Sequence, residues 1–571
     1  MYSNNKLILQ LLALMKAHQI SKVVVSPGSR HFPIIHSMEK DPYFDMYSVV
    51  DERSAAFFAL GLIQKFNEPV AICCTSGTST INYGSAVVEA HYQQLPLLLL
   101  TADRLPELLG QMEEQMFKQD DVFRSFVKFN GKLKEVNDKI SEWYCNRIIN
   151  EGLLALNHGG KGPVHLNFPI EKHNLDTFET TNLPKVRKIS KTYAYDSEAV
   201  WGRLAAKLQN KKVLIVWGQN NPMSEALRAS LNQFTEHYNT AIFCDQLGNC
   251  HHERAIGNAF TVLMNFSVDE KEAVAPDIVI TLFANYVFNG LIKNYLIQVP
   301  GFEHWDVVPS GMVRDPFKCL TEIFEMDEQY FFSKLGSYGN DGASSYFDHL
   351  KTISDRIEEP KVEYSELYAI GELMRALPKN VSLHIANSAP SRMAMLFDFD
   401  PSIKVYCNRG VNGIDGCMST AVGYASRAEE LVFLVIGDLT FFYDMNALWN
   451  RHLSKNIRIL LLNNEGGAVM HMPLKERFAS ILPKHVSAGH NTSARGWVES
   501  LGITYLEASN QIECDIAMNT FTDINTDGPV LLEVFTKKES DIKILKQYYE
   551  SLNKTTFLDK AKRKIARKLG I

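Results

Sequence analysis

Residues 431–467 read LVFLVIGDLTFFYDMNALWNRHLSKNIRILLLNNEGG and restrict the fold more than any other stretch of the chain. An unbroken apolar run ends in Gly437-Asp438, a helix-length stretch of mixed polarity follows, and a second apolar run ends in Asn463-Asn464. Apolar runs without polar alternation mark strands buried on both faces, and two of them flanking a helical stretch make a parallel βαβ unit. Ligands of such sheets lie beyond the carboxyl ends of the strands, where Asp438 and Asn464 both fall. A carboxylate, an amide oxygen and a glycine-loosened loop form an oxygen ligand set for Mg²⁺ that leaves places for a diphosphate. A helix beginning near Leu439 would aim its N-terminal N–H groups at the same anion. A purely structural βαβ unit with polar strand ends is the plainer reading of the same residues.

The rest of the chain repeats this plan. Strand candidates at 22–26, 46–50, 70–75 and 95–101 alternate with helical stretches, and GPVHLNFPI (162–170) closes that block. GPVLLEVFT (528–536) closes the last block in nearly the same words, which hints that the first and last domains are copies of one design. Between them, KKVLIVWG (211–218), TAIFCDQ and PDIVITLF begin a separate middle block without a dinucleotide-binding fingerprint. Polar stretches at 175–193 and 336–363 read as linkers. With 571 residues and roughly 150–200 per domain, three doubly wound α/β domains with mainly parallel sheets are expected, at 1–185, 190–350 and 360–571.

Composition narrows the function classes. A net charge of −6 argues against a general nucleic-acid-binding surface, and no apolar run approaches the length of a membrane span. The nine cysteines are odd in number and lack CxxC spacing, which suggests reduced thiols in a cytoplasmic protein. Residues 7–20 read as an amphipathic helix and lack the basic start and cleavage site of a secretion signal. The basic end, KAKRKIARKLG, has the spacing of a solvated helix.

Several further motifs occur in order: SPGSR (26–30), DERSAAFFALG (51–61), CTSGT (74–78), TADRLPEL (101–108), NRGVNGIDG (408–416) and GDLTFFYDMNAL (437–448). Together with the paired asparagines they resemble the thiamine diphosphate enzymes, and among them the 2-succinyl-5-enolpyruvyl-6-hydroxy-3-cyclohexene-1-carboxylate synthase family of menaquinone biosynthesis. The resemblance is strong over the first and last blocks and holds in outline over the middle one. It implies a thiamine diphosphate-binding fold with an N-terminal pyrimidine-binding domain, a central domain and a C-terminal diphosphate-binding domain. It also implies Mg²⁺ (or Mn²⁺) and a homodimer or homotetramer, because the pyrimidine and diphosphate sites of one cofactor belong to different chains. Glu52 would bond the pyrimidine nitrogen N1′, and Ile414 would prop the cofactor in its bent form. Gly437, Asp438, Leu439 and Asn464 would line the diphosphate. Asp438, the Asn464 side chain and the Gly466 carbonyl would hold the metal.

The implied reaction decarboxylates 2-oxoglutarate and adds the succinyl carbanion to isochorismate or a related acceptor, a Stetter-type 1,4-addition. Ser29, Arg30, Arg104, Gln115, Ser388, Arg392 and Arg409 stand at the family's substrate-binding positions, and arginines suit a distal carboxylate. The chain departs from the family at Leu439, where glycine is common, and at Glu465 after the paired asparagines. It also has Glu114 in place of asparagine, Phe288-Asn289-Gly290 in place of a cationic stretch, and Glu171-Lys172-His173 after the closing strand. Two other readings stand beside this one: a thiamine diphosphate-dependent 2-oxo-acid decarboxylase or acyl-transfer synthase with a different acceptor, and a catalytically silent paralogue.

Overall fold

The computed structural model describes all residues except 158, 171–176, 187, 189–196, 284, 288, 311–313, 315, 318, 340–343, 469–484 and 554–571. Phe288, the 171–173 departure and the basic C-terminal stretch therefore lie outside the described residues.

Three six-stranded sheets organise the chain, and every strand pair in them is parallel. The first contains β1 (Lys22–Val25), β2 (Asp45–Ser48), β3 (Val70–Cys74), β4 (Leu97–Asp103), β5 (Phe129–Lys132) and β6 (Val164–Pro169), ordered β2-β1-β3-β4-β6-β5. The second contains β7 (Val213–Trp217), β8 (Thr240–Cys244), β9 (Ala255–Ile256), β10 (Ile278–Leu282), β11 (Glu303–Val307) and β12 (Leu320–Phe324), ordered β12-β11-β10-β7-β8-β9. The third contains β13 (Ser382–Ile385), β14 (Lys404–Tyr406), β15 (Val432–Gly437), β16 (Ile457–Asn463), β17 (Thr504–Ala508) and β18 (Val530–Phe535), ordered β14-β13-β15-β16-β18-β17. The first and third sheets thus share one strand order, with β6 and β18 in equivalent places. The similar closing strands reflect a repeated topology. The middle sheet has the doubly wound order of dinucleotide-binding folds, without their glycine fingerprint.

Valine, isoleucine and leucine fill the central strands because helices cover both faces: β3, β4, β7, β10 and β16 are buried throughout their length. Three expectations change. The N-terminal helix Lys6–Ala17 is buried continuously from Leu7 to Met15, so it is wrapped on all sides instead of presenting a polar face. The stretch 336–363 is not merely a linker, since Ser345–Ser354 form a helix that buries Tyr346, Leu350 and Ile353. The connection from β15 to β16 is a short helix, Asp438–Tyr443, and a single 3₁₀ turn, Met445–Leu448. The helix stops where buried Asp444 turns inward and accepts hydrogen bonds from Ser419 N (2.7 Å) and Ser419 Oγ (2.7 Å).

The first and third sheets meet within one chain through helices Glu52–Phe66 and Cys417–Ala425, and one apolar cluster runs through both units. The helices touch backbone to backbone. A Cβ on Gly61 would lie 2.0 Å from Thr420 O, and one on Gly423 would lie 2.2 Å from Phe58 O, so both positions require glycine.

Candidate active site

β15 and β16 are neighbours, with Gly437 opposite Leu462, so their carboxyl ends bring Asp438 and Asn464 together. Asp438 is buried. Its Oδ1 accepts from Leu439 N at 2.6 Å and its Oδ2 from Gly466 N at 2.8 Å, while His490 Nε2 lies 3.2 Å from Oδ2. Burial pushes its carboxyl pKa up, and the Gly466 N–H, His490 and the Leu439 N–H pull it back.

The paired asparagines have different environments. Asn463 is fully engaged: its Nδ2 donates to Glu533 Oε1 (2.7 Å) and Thr492 O (2.9 Å), and its Oδ1 accepts from Glu465 N (3.3 Å). Asn464 Oδ1 is buried and has no hydrogen-bond partner. An orphaned buried acceptor costs about 1–3 kcal/mol, which a cation would offset. Gly466 has φ +136°, and a Cβ there would lie 2.6 Å from Ser487 O. Among the described residues its carbonyl accepts one backbone bond, from Ala468 N (3.0 Å), which leaves a lone pair available. An orphaned amide oxygen, a buried carboxylate and a half-used carbonyl are hard oxygen donors that suit Mg²⁺.

Two departures in this motif do little here. Glu465 has φ +64° and is exposed, while its carbonyl accepts from Lys538 Nζ and His490 N, each at 3.3 Å. The Leu439 side chain packs beside Gly467.

The first sheet gathers a second group at its own carboxyl edge. Asp51 caps the helix Glu52–Phe66 by accepting Ser54 N at 2.8 Å, which places Glu52 in the first turn. Glu52 Oε2 accepts from Asn82 Nδ2 at 3.3 Å. Asn82 went unnoticed in the sequence, and its only signal was its place just after CTSGT. Arg30 donates through Nη1 to Ile170 O (3.0 Å), while its Nε is buried without a partner. Burial first and then neighbouring Arg104 lower its pKa. Arg104 donates through Nε to Glu114 O (2.7 Å), and its Nη1 pairs with Glu113 Oε2 at 2.7 Å. The acid that engages this cation is thus Glu113, while the Glu114 residue is exposed. Ser29 and Gln115 are exposed on the same rim, Gln115 with φ +50° and its backbone against Gly77.

The remaining residues surround the third sheet. Ser388, with φ +76°, precedes the helix Ala389–Ala394, in which Arg392 is exposed. Arg409 donates through Nη1 to Asn387 Oδ1 (3.0 Å) and through Nη2 to Val287 O (3.2 Å), so it links the third unit to the middle one. Ile414 is half-buried in the loop 408–416. Among the described residues, no hydrogen bond or ion pair joins the Ser29–Arg30–Glu52–Arg104–Gln115 group directly to the group around Asp438. A cavity of about 820 Å³ between the first and middle units is lined by residues including Lys161, Gln219, Asn285 and Arg314, and by none of the residues singled out in the sequence.

Residues 6–122 match the family model described as thiamine pyrophosphate enzyme, N-terminal TPP binding domain. Taken with three parallel α/β sheets, this makes the chain a thiamine diphosphate-dependent enzyme of the transferase/lyase type. Its curated relatives include proteins named 2-succinyl-5-enolpyruvyl-6-hydroxy-3-cyclohexene-1-carboxylate synthase. That of Bacteroides fragilis is 42% identical over 97% of this chain and 100% of the relative. Those of Phocaeicola vulgatus (41%; 97% and 99%) and Flavobacterium johnsoniae (30%; 96% and 100%) carry the same name. The chain belongs to the 2-succinyl-5-enolpyruvyl-6-hydroxy-3-cyclohexene-1-carboxylate synthase family.

Proposed function

We propose that the protein is a thiamine diphosphate- and Mg²⁺-dependent carboligase of menaquinone biosynthesis that decarboxylates 2-oxoglutarate and joins the succinyl unit to isochorismate by 1,4-addition. The observation that carries this reading is the partnerless Asn464 Oδ1 beside Asp438 and Gly466, in a chain similar over its whole length to synthases of that name. When bound, thiamine diphosphate supplies the nucleophilic carbon and the electron sink for loss of CO₂. Asp438, Asn464 and the Gly466 carbonyl would hold the metal, with Gly437 and Leu439 flanking the diphosphate. Glu52 would hold the pyrimidine nitrogen, and Ile414 would prop the cofactor. Arg392 and Arg409, with Ser388, would bind the donor's distal carboxylate, and Ser29, Arg30, Arg104 and Gln115 the acceptor.

The units are read as pyrimidine-binding (1–185), central (190–350) and diphosphate-binding (360–571). Among the described residues the Glu52 group is not bonded to the Asp438 group, and on this reading each site would be completed by a second copy, in a homodimer or homotetramer. Exposed Val50, Ile81, Met112, Val411, Tyr443 and Trp449, close in sequence to the motif residues, support such a contact. No helix among the described residues is long and apolar enough to cross a membrane; the nine free cysteines support a cytoplasmic enzyme.

A second reading, a related acceptor in place of isochorismate, is favoured by the engagement of Arg104 with Glu113. The deciding experiment incubates purified protein with thiamine diphosphate, Mg²⁺ and 2-oxoglutarate, with and without isochorismate, following CO₂ and adduct mass. A succinyl adduct of isochorismate is expected. CO₂ release without an adduct would overturn the acceptor and retain the donor, and no CO₂ release would overturn both.

A further inference from the structure

The loop 408–416 carries two residues of the reading above, Arg409 and Ile414, yet it contains no helix or strand. It is gripped instead by the first unit of the same chain. Glu89, in helix Gly84–Gln93, is 1% exposed. Its Oε1 accepts from Gly410 N at 2.8 Å and from Gln93 Nε2 at 2.5 Å, and its Oε2 accepts from Val411 N at 3.0 Å. Gln93 Nε2 also reaches Cys407 O at 3.2 Å, just before the loop. The approach is close enough that a Cβ on Gly410 would lie 2.7 Å from Glu89 O.

A buried carboxylate is costly unless it is paired or well hydrogen-bonded. Among the described residues no lysine or arginine forms an ion pair with Glu89, so its charge rests on N–H donors, two of them from the loop itself. Domain docking alone does not require this arrangement. Lys65–Glu430 (3.0 Å) and Arg427–Asp45 (2.7 Å) already join the two units, and so does the Arg53 Nη2 bond to Tyr443 O (2.8 Å).

We propose that Glu89 is a positioning residue for the reaction: by taking the Gly410 and Val411 N–H groups together it fixes the loop between Arg409 and Ile414, and so sets the donor-binding guanidinium and the cofactor support in one register. This rests on the functional reading above. The first unit of a chain would then hold a loop of its own third unit while offering Glu52 elsewhere. Glutamine at position 89 would set an NH₂ group against one of two N–H donors and break the clamp while keeping its volume.

The test compares wild type with Glu89→Gln, Gly410→Ala and Lys65→Met in the full-length holoenzyme. Half-saturation by thiamine diphosphate, KM and kcat with 2-oxoglutarate, Tm, and hydrogen exchange over residues 407–416 are measured for each. Glu89→Gln is expected to raise the half-saturating cofactor concentration and KM by about tenfold and to speed exchange at Gly410 and Val411. Gly410→Ala attacks the clamp from the loop side and should do the same, which keeps the test decisive if Glu89→Gln fails to fold. Lys65→Met removes an interdomain ion pair and should leave both affinities at the wild-type value. Wild-type cofactor affinity with slow amide exchange in both clamp variants overturns the inference, as does an equal loss in Lys65→Met. A wild type that binds no thiamine diphosphate overturns the functional reading and this inference with it.

Discussion

The first and third sheets have the same strand order, yet their carboxyl edges differ. At the third edge, a carboxylate, an amide oxygen and a glycine carbonyl converge where β15 and β16 end, and one of these oxygens has no partner. At the first edge Arg30 and Arg104 crowd together and Glu52 sits in a helix's first turn. The scaffold places ligands at a fixed edge, and the few residues just past each strand decide which ligand it is. On the proposed reading, the third edge would hold the metal through its oxygens, while the first edge would offer Glu52 and the cations Arg30 and Arg104.

The sharpest way to break that division is at Glu52. If the first edge supplies the group that activates the cofactor, Glu52→Gln should cut kcat by about 10²–10⁴-fold. Because Glu52 is only half-buried and its contact with Asn82 survives an amide, Tm should stay close to wild type. Full activity in this variant would remove the first edge from the chemistry. On the third edge, Arg392→Ala should raise KM for 2-oxoglutarate by about ten- to a hundredfold, the loss expected of a charge-assisted carboxylate contact. Unchanged turnover would mean that the donor has no distal carboxylate held there.

Acid stability sharpens the comparison without the reaction. Burial pushes His31 down to about 4 and His165 to about 3 in the first unit, and His384 to about 3 in the third. The folded values lie below the unfolded value of about 6.5, so below that pH the unfolded chain binds more protons. The stability is therefore complete above about pH 6.5 and is lost as pH falls toward 4 and then 3, by about 1.4 kcal/mol per pH unit for each histidine. Urea titrations at pH 7 and pH 5 measure this. His165→Gln should flatten the slope for unfolding of the first unit and leave the third unchanged.

Much of this was legible in the sequence because it is local. Apolar runs without alternation gave the central strands, and Gly437-Asp438 and Asn463-Asn464 marked the ends of two of them. What stayed hidden depends on partners far along the chain. Asn463 and Asn464 are adjacent and chemically identical, and contacts such as that of Asn463 with Glu533, 70 positions away, leave only the Asn464 Oδ1 without a partner. The pairing of Arg104 with Glu113, in place of Glu114, depends on how one loop turns. Glu89 looks like any helical glutamate until the loop of another domain closes over it. Residues 336–363 read as a linker from their Gly, Ser and Asp content, yet the spacing of Tyr346, Leu350 and Ile353 already gave one buried helix face.

The smallest effect tests the orphan directly. If Asn464 Oδ1 is kept for a cation, the protein without cofactor carries an unsatisfied buried acceptor that an apolar side chain of similar size would remove. Asn464→Leu also removes the side-chain hydrogen bond to buried Glu366, so the two effects should nearly cancel and leave the apo Tm close to wild type, while abolishing the Tm increase that thiamine diphosphate and Mg²⁺ give the wild type. Asn463→Leu provides the contrast. It strands Glu533 and removes bonds to Thr492 and Glu465, so it should destabilise the apo protein. A loss of apo stability at Asn463 with little change at Asn464 would show that the third edge holds one oxygen in reserve for a ligand. Equal destabilisation by both would mean that Asn464 is as structural as its neighbour, and the asymmetry between the two sheets would then have to rest on Asp438 and the Gly466 carbonyl.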